Sequence, residues 1–189
     1  MAHPVIIFEG LDHTGKTTTA TRLVTEVGGV YLHSPPEELM LFRKEFDKMG
    51  PLPNLEFYLT CNRIIDIKIR EAQEHKPVVV DRHFFSTIAY HSNILGMDLD
   101  GVIATMLTLP DRVYYLTAEL EEIEMRTART GQINPRFHGK GLWAKADATY
   151  RRLLEGYPVL EIDTTHIDEA AVYRLVLEDF IRIRKKVLV

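Results

Sequence analysis

A glycine-rich segment near the N-terminus carries residue types that can hold phosphate groups. It has the spacing Gly-x4-Gly-Lys-Thr from Gly10 to Thr17, after a short apolar run and before a helical pattern. Glycines let the backbone curl until successive N–H groups point inward, and the N-terminus of the following helix adds partial positive charge. We predict that Lys16 is catalytic, because in such a loop it reaches the β- and γ-phosphates of ATP, and the Thr17 hydroxyl can bind Mg²⁺. The predicted ATP-binding residues of this P-loop are Gly10, His13, Thr14, Gly15, Lys16, Thr17 and Thr18.

An aspartate and an arginine follow the most apolar strand pattern in the chain. This pattern is Val78-Val79-Val80, and Asp81 and Arg82 come directly after it. An aspartate that ends a buried strand beside the P-loop strand can organise Mg²⁺, while arginine offers a phosphate a fork of donors. We therefore predict that Asp81 is catalytic and binds Mg²⁺ with Thr17, partly through water, and that Arg82 points into the same cleft.

Three arginines lie in or beside a stretch whose composition is typical of a mobile loop. Residues 130–141 contain three glycines, one proline and two basic residues, and we predict that they form a short mobile lid. Phosphoryl transfer spreads negative charge over the transferring oxygens, so arginines that close over the site can stabilise it. Arg129 and Arg136 are the predicted catalytic arginines. Arg126 either contacts ATP or belongs to a solvated helix face.

Apolar strand patterns alternate with helical patterns around these candidates. The strand patterns cover 5–8, 30–32, 78–81, 112–116 and 159–163. The helical patterns cover about 15–27, 37–48, 54–75, 84–94, 99–108, 118–129, 142–155 and 168–186, and Asn54 is the expected N-cap of the longest. This alternation predicts an α/β protein with the three-layer P-loop NTPase fold, in which helices flank a five-stranded parallel sheet.

Length, charge and cysteine content restrict the remaining classes. A chain of 189 residues suits one domain over residues 1–189. A net charge of −4 gives no reason to expect a nucleic-acid partner. Cys61 is the single cysteine, so an intrachain disulfide and a cysteine-based zinc cluster are excluded. Neither a signal-peptide pattern nor an apolar run of membrane-spanning length is present, and we expect a cytoplasmic protein without a membrane partner.

Two blocks of sequence resemble the thymidylate kinase family. In the first, Phe8–Thr18, Phe-Glu-Gly precedes a P-loop that contains an aspartate. The second is Asp81-Arg82-His83 with Ser86-Thr87-Ile88-Ala89-Tyr90 after it. Asn62-Arg63 is similar to the family's base-contacting arginine, and Thr164-Thr165-His166 falls where its adenine-facing loop lies. The resemblance implies a kinase that transfers the γ-phosphate of ATP to a nucleoside monophosphate.

The resemblance also implies roles for individual residues. Asp12 would meet the sugar hydroxyl of the acceptor, Arg63 its base and Arg82 its phosphate. Ser86 and Tyr90 belong to the acceptor motif, and Thr165 would contact ATP. Members of the family use Mg²⁺ and commonly form homodimers through helices, for which the apolar face of residues 55–70 is available.

At two acceptor positions the chain departs from the family, so alternatives stay open. His33 occupies the position of a phosphate-binding arginine after the second strand, and Leu59 that of a phenylalanine that stacks on the base. One alternative is a nucleoside or small-alcohol kinase, which needs a carboxylate base such as Glu37, Glu38 or Asp12. Another is a non-catalytic ATP-binding module.

Overall fold

Five parallel strands form the sheet at the centre of this computed structural model, which describes residues 2–106, 108–131 and 135–187. The strands are β1 (Val5–Glu9), β2 (Val30–His33), β3 (Val78–Asp81), β4 (Arg112–Thr117) and β5 (Val159–Asp163). Their order in the sheet is β2-β3-β1-β4-β5, and each predicted strand pattern agrees with an observed strand to within one residue. Because β1 is central, its carboxyl end and those of its neighbours gather the P-loop and Asp81 at one edge.

Within the described residues, seven helices flank the sheet. They are α1 (Lys16–Val27), α2 (Met40–Lys48), α3 (Pro51–Ala72), α4 (Phe84–Leu95), α5 (Leu120–Thr130), α6 (Lys140–Leu153) and α7 (Glu169–Val187). Short 3-10 helices cover Glu37–Leu39, Asp100–Thr105 and Pro135–Phe137. None of the helices, as far as the chain is described, is both long and apolar enough to cross a lipid bilayer.

The two faces of the sheet bury separate apolar cores. Val5 and Ile7 of β1 point toward a core that contains side chains of α3, α4 and α6, whereas Ile6 and Phe8 pack with α1 and α7. A strand covered on both faces must be apolar throughout, which explains the unbroken runs in the sequence. The predicted three-layer fold with a five-stranded parallel sheet is confirmed.

The beginning of α3 differs from the prediction. The helix begins at Pro51, so the predicted N-cap at Asn54 is wrong. A proline is tolerated in the first turn of a helix, because an N–H group there would have no partner within the helix. Asn54 is fully buried inside the helix. Its Nδ2 donates to Asp47 Oδ1 (2.9 Å), and its Oδ1 lies 2.9 Å from His91 Nε2. The residue thus links α2, α3 and α4.

Two other segments also differ from the prediction. The helix expected at 99–108 is a 3-10 helix at Asp100–Thr105, and Leu107 lies outside the described residues. In the predicted lid, Pro135–Phe137 form a 3-10 helix and Phe137 is buried, with its ring 5.9 Å from that of Tyr58 and 5.3 Å from that of Tyr90. Phe137 of the predicted loop therefore belongs to the core. Gln132, Ile133 and Asn134, in the same predicted lid, lie outside the described residues.

The apolar face of residues 55–70 lies mostly in the core of the chain. Leu55, Phe57, Cys61, Ile65 and Ile69 are buried there, so they cannot form an interface. Within 55–70 the large apolar side chain that is exposed is Ile67, and others lie on α2 and at either side of the start of α3. They are Met40, Leu41, Phe42, Met49 and Leu52.

The close approach of the P-loop to β4 gives a test of the fold. Gly10 has a φ of +135°, and a Cβ atom there would overlap the backbone oxygen of Leu116. In Gly10→Ala, strain and overlap should lower the free energy of unfolding by about 2–4 kcal/mol in urea denaturation. Gly141→Ala is the control, because a Cβ at Gly141 meets no atom within 4 Å and alanine favours a helix. Equal stability of Gly10→Ala and the wild type would contradict this account.

Candidate active site

The P-loop joins the end of β1 to the beginning of α1. Gly15 is the N-cap of α1 with a φ of +89°, and His13 has a φ of +62°, so the backbone turns sharply in front of the helix N-terminus. Thr14 Oγ1 donates to Leu11 O (3.0 Å) and closes the loop from inside. This is the arrangement in which loop N–H groups and the helix dipole meet an anion.

Lys16 lies buried inside this loop. Its Nζ donates to Leu11 O and lies 3.3 Å from Thr14 Oγ1. Burial and the nearby charge of Arg82 lower the pKa of Lys16 to about 7, against the opposing effect of neighbouring carboxylates. An anionic phosphate brought to the loop favours the charged form of the lysine, so phosphate binding and protonation of Lys16 support each other.

Thr17 and Asp81 form an oxygen-rich pair beside the loop. Thr17 Oγ1 donates to Asp81 Oδ2 (2.5 Å), and the Tyr31 hydroxyl donates to the same oxygen (3.1 Å). Asp81 Oδ1 is buried and has no hydrogen-bond partner among the described residues. A carboxylate oxygen and a threonine hydroxyl suit Mg²⁺, which prefers oxygen ligands, so the residues present fit this ion.

A cleft of about 680 Å³ lies on one side of the P-loop. The predicted ATP-binding residues that line it are His13, Thr14, Gly15, Thr18 and Arg126, and Arg129, predicted to be catalytic, lines it as well. Thr164 lines the cleft, but the predicted residue Thr165 does not. The Oγ1 atom of Thr165 instead accepts a hydrogen bond from Glu119 N (2.9 Å). We name this space the donor cleft.

Arg126 connects the walls of the donor cleft. Its Nε donates to Glu122 Oε1 (2.7 Å) and its Nη1 to His13 O (3.2 Å). Its Nη2 donates to Thr164 O (2.7 Å). These contacts tie α5, the P-loop and the turn after β5 together, so the alternative of a solvated helix face for Arg126 is wrong.

On the other side of the P-loop, Arg82 and Asp12 face each other. Arg82 has a φ of +70°, a backbone conformation that residues other than glycine rarely adopt. Its Nη1 donates to Gly10 O (2.9 Å) and Ser86 Oγ (3.0 Å), and its Nη2 donates to Asp12 Oδ1. Burial opposes ionisation of Asp12, but the charges of Arg82 and Lys16 hold its pKa below the ordinary value.

A buried carboxylate, Glu9, holds this turn in place. Glu9 Oε1 accepts from His83 N (2.8 Å) and Ser86 N (3.3 Å), and Oε2 accepts from the Ser86 hydroxyl. Burial raises the pKa of Glu9 to about 7, although these hydrogen bonds and Arg82 favour the charged form. Glu9 was not among the residues predicted from the sequence, although a charged residue at the end of an apolar strand was a usable signal.

A cavity of about 330 Å³ opens beside Arg82. Of the predicted residues, Asp12, Thr17, Arg82, Ser86 and Tyr90 line it. The other lining residues were not predicted from the sequence; they are Ser34, Pro35, Arg43, Tyr58, Thr87, His91 and Phe137. Tyr150 of α6, whose hydroxyl lies 2.8 Å from Ser86 Oγ, was not predicted either. We name this space the acceptor cavity.

Three predicted acceptor residues do not line the cavity. Arg63 donates to Thr105 O, and its guanidinium lies over the ring of Phe84, 5.2 Å from the centroid. Leu59 is half-buried against the core, and His33 lies at the end of β2 with its ring 5.9 Å from that of Tyr31. The structure thus does not bring these side chains together with Asp12 and Arg82.

Tyr58 and Asn62, one residue before Leu59 and Arg63 on α3, lie at the acceptor cavity in their place. Tyr58 lines the cavity, and Asn62 contacts two lining residues. Asn62 Nδ2 donates to Thr87 Oγ1 (2.8 Å), and Ser34 Oγ donates to Asn62 Oδ1 (3.3 Å). Tyr58 and Asn62 have the same spacing of four residues as Leu59 and Arg63, which was the signal available in the sequence.

Arg136 lies on the acceptor side of the site. Its Nη2 donates to the backbone oxygen of Asp47, at the end of α2. It lines neither the donor cleft nor the acceptor cavity, whereas Arg129 lines the donor cleft. A catalytic role for either arginine stays a prediction.

Comparison with known proteins agrees with this geometry. A model of the family described as thymidylate kinase matches residues 8–173. The probable thymidylate kinase of Methanocaldococcus jannaschii is 30% identical over 167 residues, which cover 85% of this chain and 86% of that protein. The solved thymidylate kinase of Candida albicans has a TM-score of 0.81 at 19% identity and covers 96% of this chain and 92% of its own. A deoxyadenosine kinase from M. mycoides has a TM-score of 0.73 at 14% identity, with 94% and 99% covered, so this likeness shows the fold alone.

The raised pKa of Glu9 predicts a pH dependence of stability. Glu9 has its ordinary pKa of 4.5 in the unfolded chain and a pKa of about 7 in the folded protein. Between these two pH values Glu9 therefore binds its proton more completely in the folded protein than in the unfolded chain. The stability that Glu9 contributes is therefore full below pH 4.5 and lost as the pH rises through 7, a change on the order of 1–3 kcal/mol.

Urea denaturation of the wild type and Glu9→Gln from pH 5 to 8 measures this effect. The unfolding free energy of the wild type minus that of the variant should fall as the pH rises. Glu71→Gln removes an exposed carboxylate and should follow the wild type at every pH. A difference for Glu9→Gln that is constant or rises with pH would show that the Glu9 pKa is not raised.

Proposed function

The chain belongs to the thymidylate kinase family, and we propose that it transfers the γ-phosphate of ATP to the phosphate of a nucleoside monophosphate, forming a nucleoside diphosphate. One observation carries the proposal. The donor cleft and the acceptor cavity lie on opposite sides of a single P-loop, and the acceptor side presents the Asp12–Arg82 pair. A phosphate that enters the acceptor cavity meets an arginine, and a sugar hydroxyl beside it meets a carboxylate.

An acceptor phosphate asks for positive charge and needs no general base. Its oxygen is already anionic at neutral pH, so the barrier lies in the repulsion between two phosphates. The backbone N–H groups of the P-loop and Lys16 hold the phosphates of ATP, and Arg82 orients the acceptor phosphate. Arg126 keeps His13 and Thr164 in position on the donor side. Arg129, at the same cleft, supplies further positive charge as the reaction proceeds.

Mg²⁺ completes the proposed donor site. Thr17 and Asp81 would hold the ion, Asp81 partly through water, and it would neutralise negative charge on the β- and γ-phosphates. The unpartnered Asp81 Oδ1 supports this assignment. We also expect the protein to work in the cytoplasm, where ATP and nucleoside monophosphates meet.

The site does not favour an acceptor hydroxyl, which would need a carboxylate base. Glu37 and Glu38 do not line the acceptor cavity, and Glu38 pairs with Lys68 at 2.5 Å on the surface. Asp12 accepts a hydrogen bond from Arg82, and its lowered pKa makes it a weak base. The nucleoside monophosphate is therefore the better acceptor on both grounds.

A panel of acceptors tests the proposal. ATP and Mg²⁺ are supplied with nucleoside monophosphates, nucleosides or small sugars, and ADP formation is followed. We expect turnover only with one or more monophosphates, and turnover only with unphosphorylated acceptors would refute the proposal. Lys16→Ala should lower kcat about 10²- to 10³-fold, because a buried cation at the phosphates is lost. Lys145→Ala, an exposed lysine on α6, is the matched control and should keep wild-type activity.

We further propose a homodimer that forms through α2 and the start of α3. The exposed apolar side chains there support it: Leu41 is 86% exposed and Phe42 54%. Phe42 also lines a shallow groove with Phe46 and Phe57. Contiguous apolar surface of this kind is typical of an interface between proteins.

Light scattering after gel filtration tests the dimer. We expect twice the chain mass of 21.8 kDa for the wild type and a shift toward the monomer for Leu41→Asp, because a charge would be buried in the interface. Leu109→Asp is the control, since Leu109 is 68% exposed but lies in the segment before β4. A monomeric wild type, or a dimer that Leu41→Asp leaves intact, would count against this interface.

A further inference from the structure

The carboxylate of Asp81 is held by the protein through one of its two oxygens. Thr17 Oγ1 donates to Oδ2 (2.5 Å), and the hydroxyl of Tyr31 donates to the same oxygen (3.1 Å). The other oxygen, Oδ1, is buried and has no hydrogen-bond partner within the part of the chain that the structure describes. The two oxygens are therefore unequal, since one is occupied by protein donors and the other is left for a ligand.

Tyr31 reaches Asp81 from the neighbouring strand. Strands β2 and β3 pair in parallel, with Tyr31 opposite Val79 and His33 opposite Asp81. The ring of Tyr31 packs at the border of the apolar core that α1 and α7 form with the sheet, and it lies 5.9 Å from the ring of His33. These contacts hold the ring in place, so the hydroxyl stays directed at Asp81.

The two donors to Asp81 differ in what an ion asks of them. Thr17 is itself a proposed ligand of Mg²⁺, so a bound ion engages its hydroxyl oxygen. Tyr31 has no such second task, and a tyrosine hydroxyl keeps its proton at neutral pH. It therefore donates to Asp81 in the empty and in the loaded site alike. Without Tyr31, the carboxylate would keep one donor and would be free to turn both oxygens toward a cation.

Divalent cations differ in what they need from a carboxylate. Mg²⁺ requires a nearly octahedral set of oxygens, keeps several waters and takes few protein ligands beside the phosphates of its substrate. Ca²⁺ is larger, binds about six to eight oxygens and accepts both oxygens of one carboxylate. A carboxylate that presents a single oxygen therefore suits Mg²⁺ better than Ca²⁺.

We propose that Tyr31 is a positioning residue that keeps Asp81 Oδ2 occupied, so that Oδ1 alone is presented to the ion and the donor site prefers Mg²⁺ over Ca²⁺. The inference rests on the proposed function, because it takes Asp81 as a ligand of the ion that accompanies ATP. It gives β2 a part in the donor site through a side chain that lines neither the donor cleft nor the acceptor cavity.

Calorimetric titration of Tyr31→Phe with the β,γ-imido analogue of ATP tests this assignment. Binding is measured in EDTA and over a range of Mg²⁺ or Ca²⁺ concentrations. The Mg²⁺ concentration that gives half of the gain in affinity should rise about tenfold, because the ligand oxygen is no longer held in place. The corresponding Ca²⁺ concentration should change less than about threefold, since Ca²⁺ accepts either arrangement of the carboxylate. Binding in EDTA should match that of the wild type.

Tyr114→Phe is the matched control. The Tyr114 hydroxyl donates to Val176 O (3.1 Å) in the same apolar core, so this variant also loses a hydrogen bond of a core tyrosine. It should lower the free energy of unfolding in urea and leave the Mg²⁺ and Ca²⁺ dependences as they are in the wild type.

An unchanged Mg²⁺ dependence of Tyr31→Phe, or an equal rise for Mg²⁺ and Ca²⁺, would overturn the assignment. A loss of affinity that is equally large in EDTA would overturn it too, because it would show a merely structural effect. The same holds for a wild type whose affinity for the analogue does not depend on Mg²⁺. The titration needs no acceptor, so a protein that responds as expected but transfers no phosphate from ATP to any monophosphate refutes the proposed function alone.

Discussion

The hydrogen bonds of the buried Glu9 carboxylate are the constraint on which the site depends. They hold the N–H groups of His83 and Ser86 against the end of β1. This junction between β3 and α4 includes Arg82, whose left-handed backbone turns its side chain back over Gly10 and Asp12. A carboxylate with three donors resists displacement more than apolar packing would, because each freed donor would be left buried without a partner. The P-loop and the turn that carries Arg82 therefore form one rigid unit.

The same cluster explains why the site binds phosphate only with help from several directions. Three carboxylates, Glu9, Asp12 and Asp81, surround Lys16 and Arg82. Before any phosphate binds, the cluster has no excess of positive charge. The chain as a whole also has none, since its net charge is −4. The additional charge of two phosphates has to be met by groups at the rim of the site. Such groups can approach as the substrates bind, whereas buried cations without partners would destabilise the empty protein.

Much of the fold and of the donor side could be predicted from the sequence, because both depend on local patterns. Apolar runs located the strands, and the spacing from Gly10 to Thr17 located the P-loop. The acceptor side was harder, since side chains from α2, α3, α4 and α6 meet there through packing. An offset of one residue on a helix turns a side chain by about 100°, which directs Arg63 away from the cavity and Tyr58 into it. Tyr150 and Arg43 carry no motif, so only the tertiary structure reveals them.

Helix α2 has a consequence for the order of events in the site. None of its nine residues, Met40–Lys48, is buried in the chain, so little apolar contact holds the helix down. Segments with few buried contacts open locally at a small free-energy cost, long before the whole domain unfolds. The helix is attached by the ring of Phe46, which stacks on that of Phe57 with centroids 4.9 Å apart, and by polar contacts that converge on Asp47. Brief detachment of this helix would widen the acceptor cavity without disturbing the P-loop, and its return would enclose a nucleotide already bound. This helix without a buried residue would thus serve as the entrance for the acceptor.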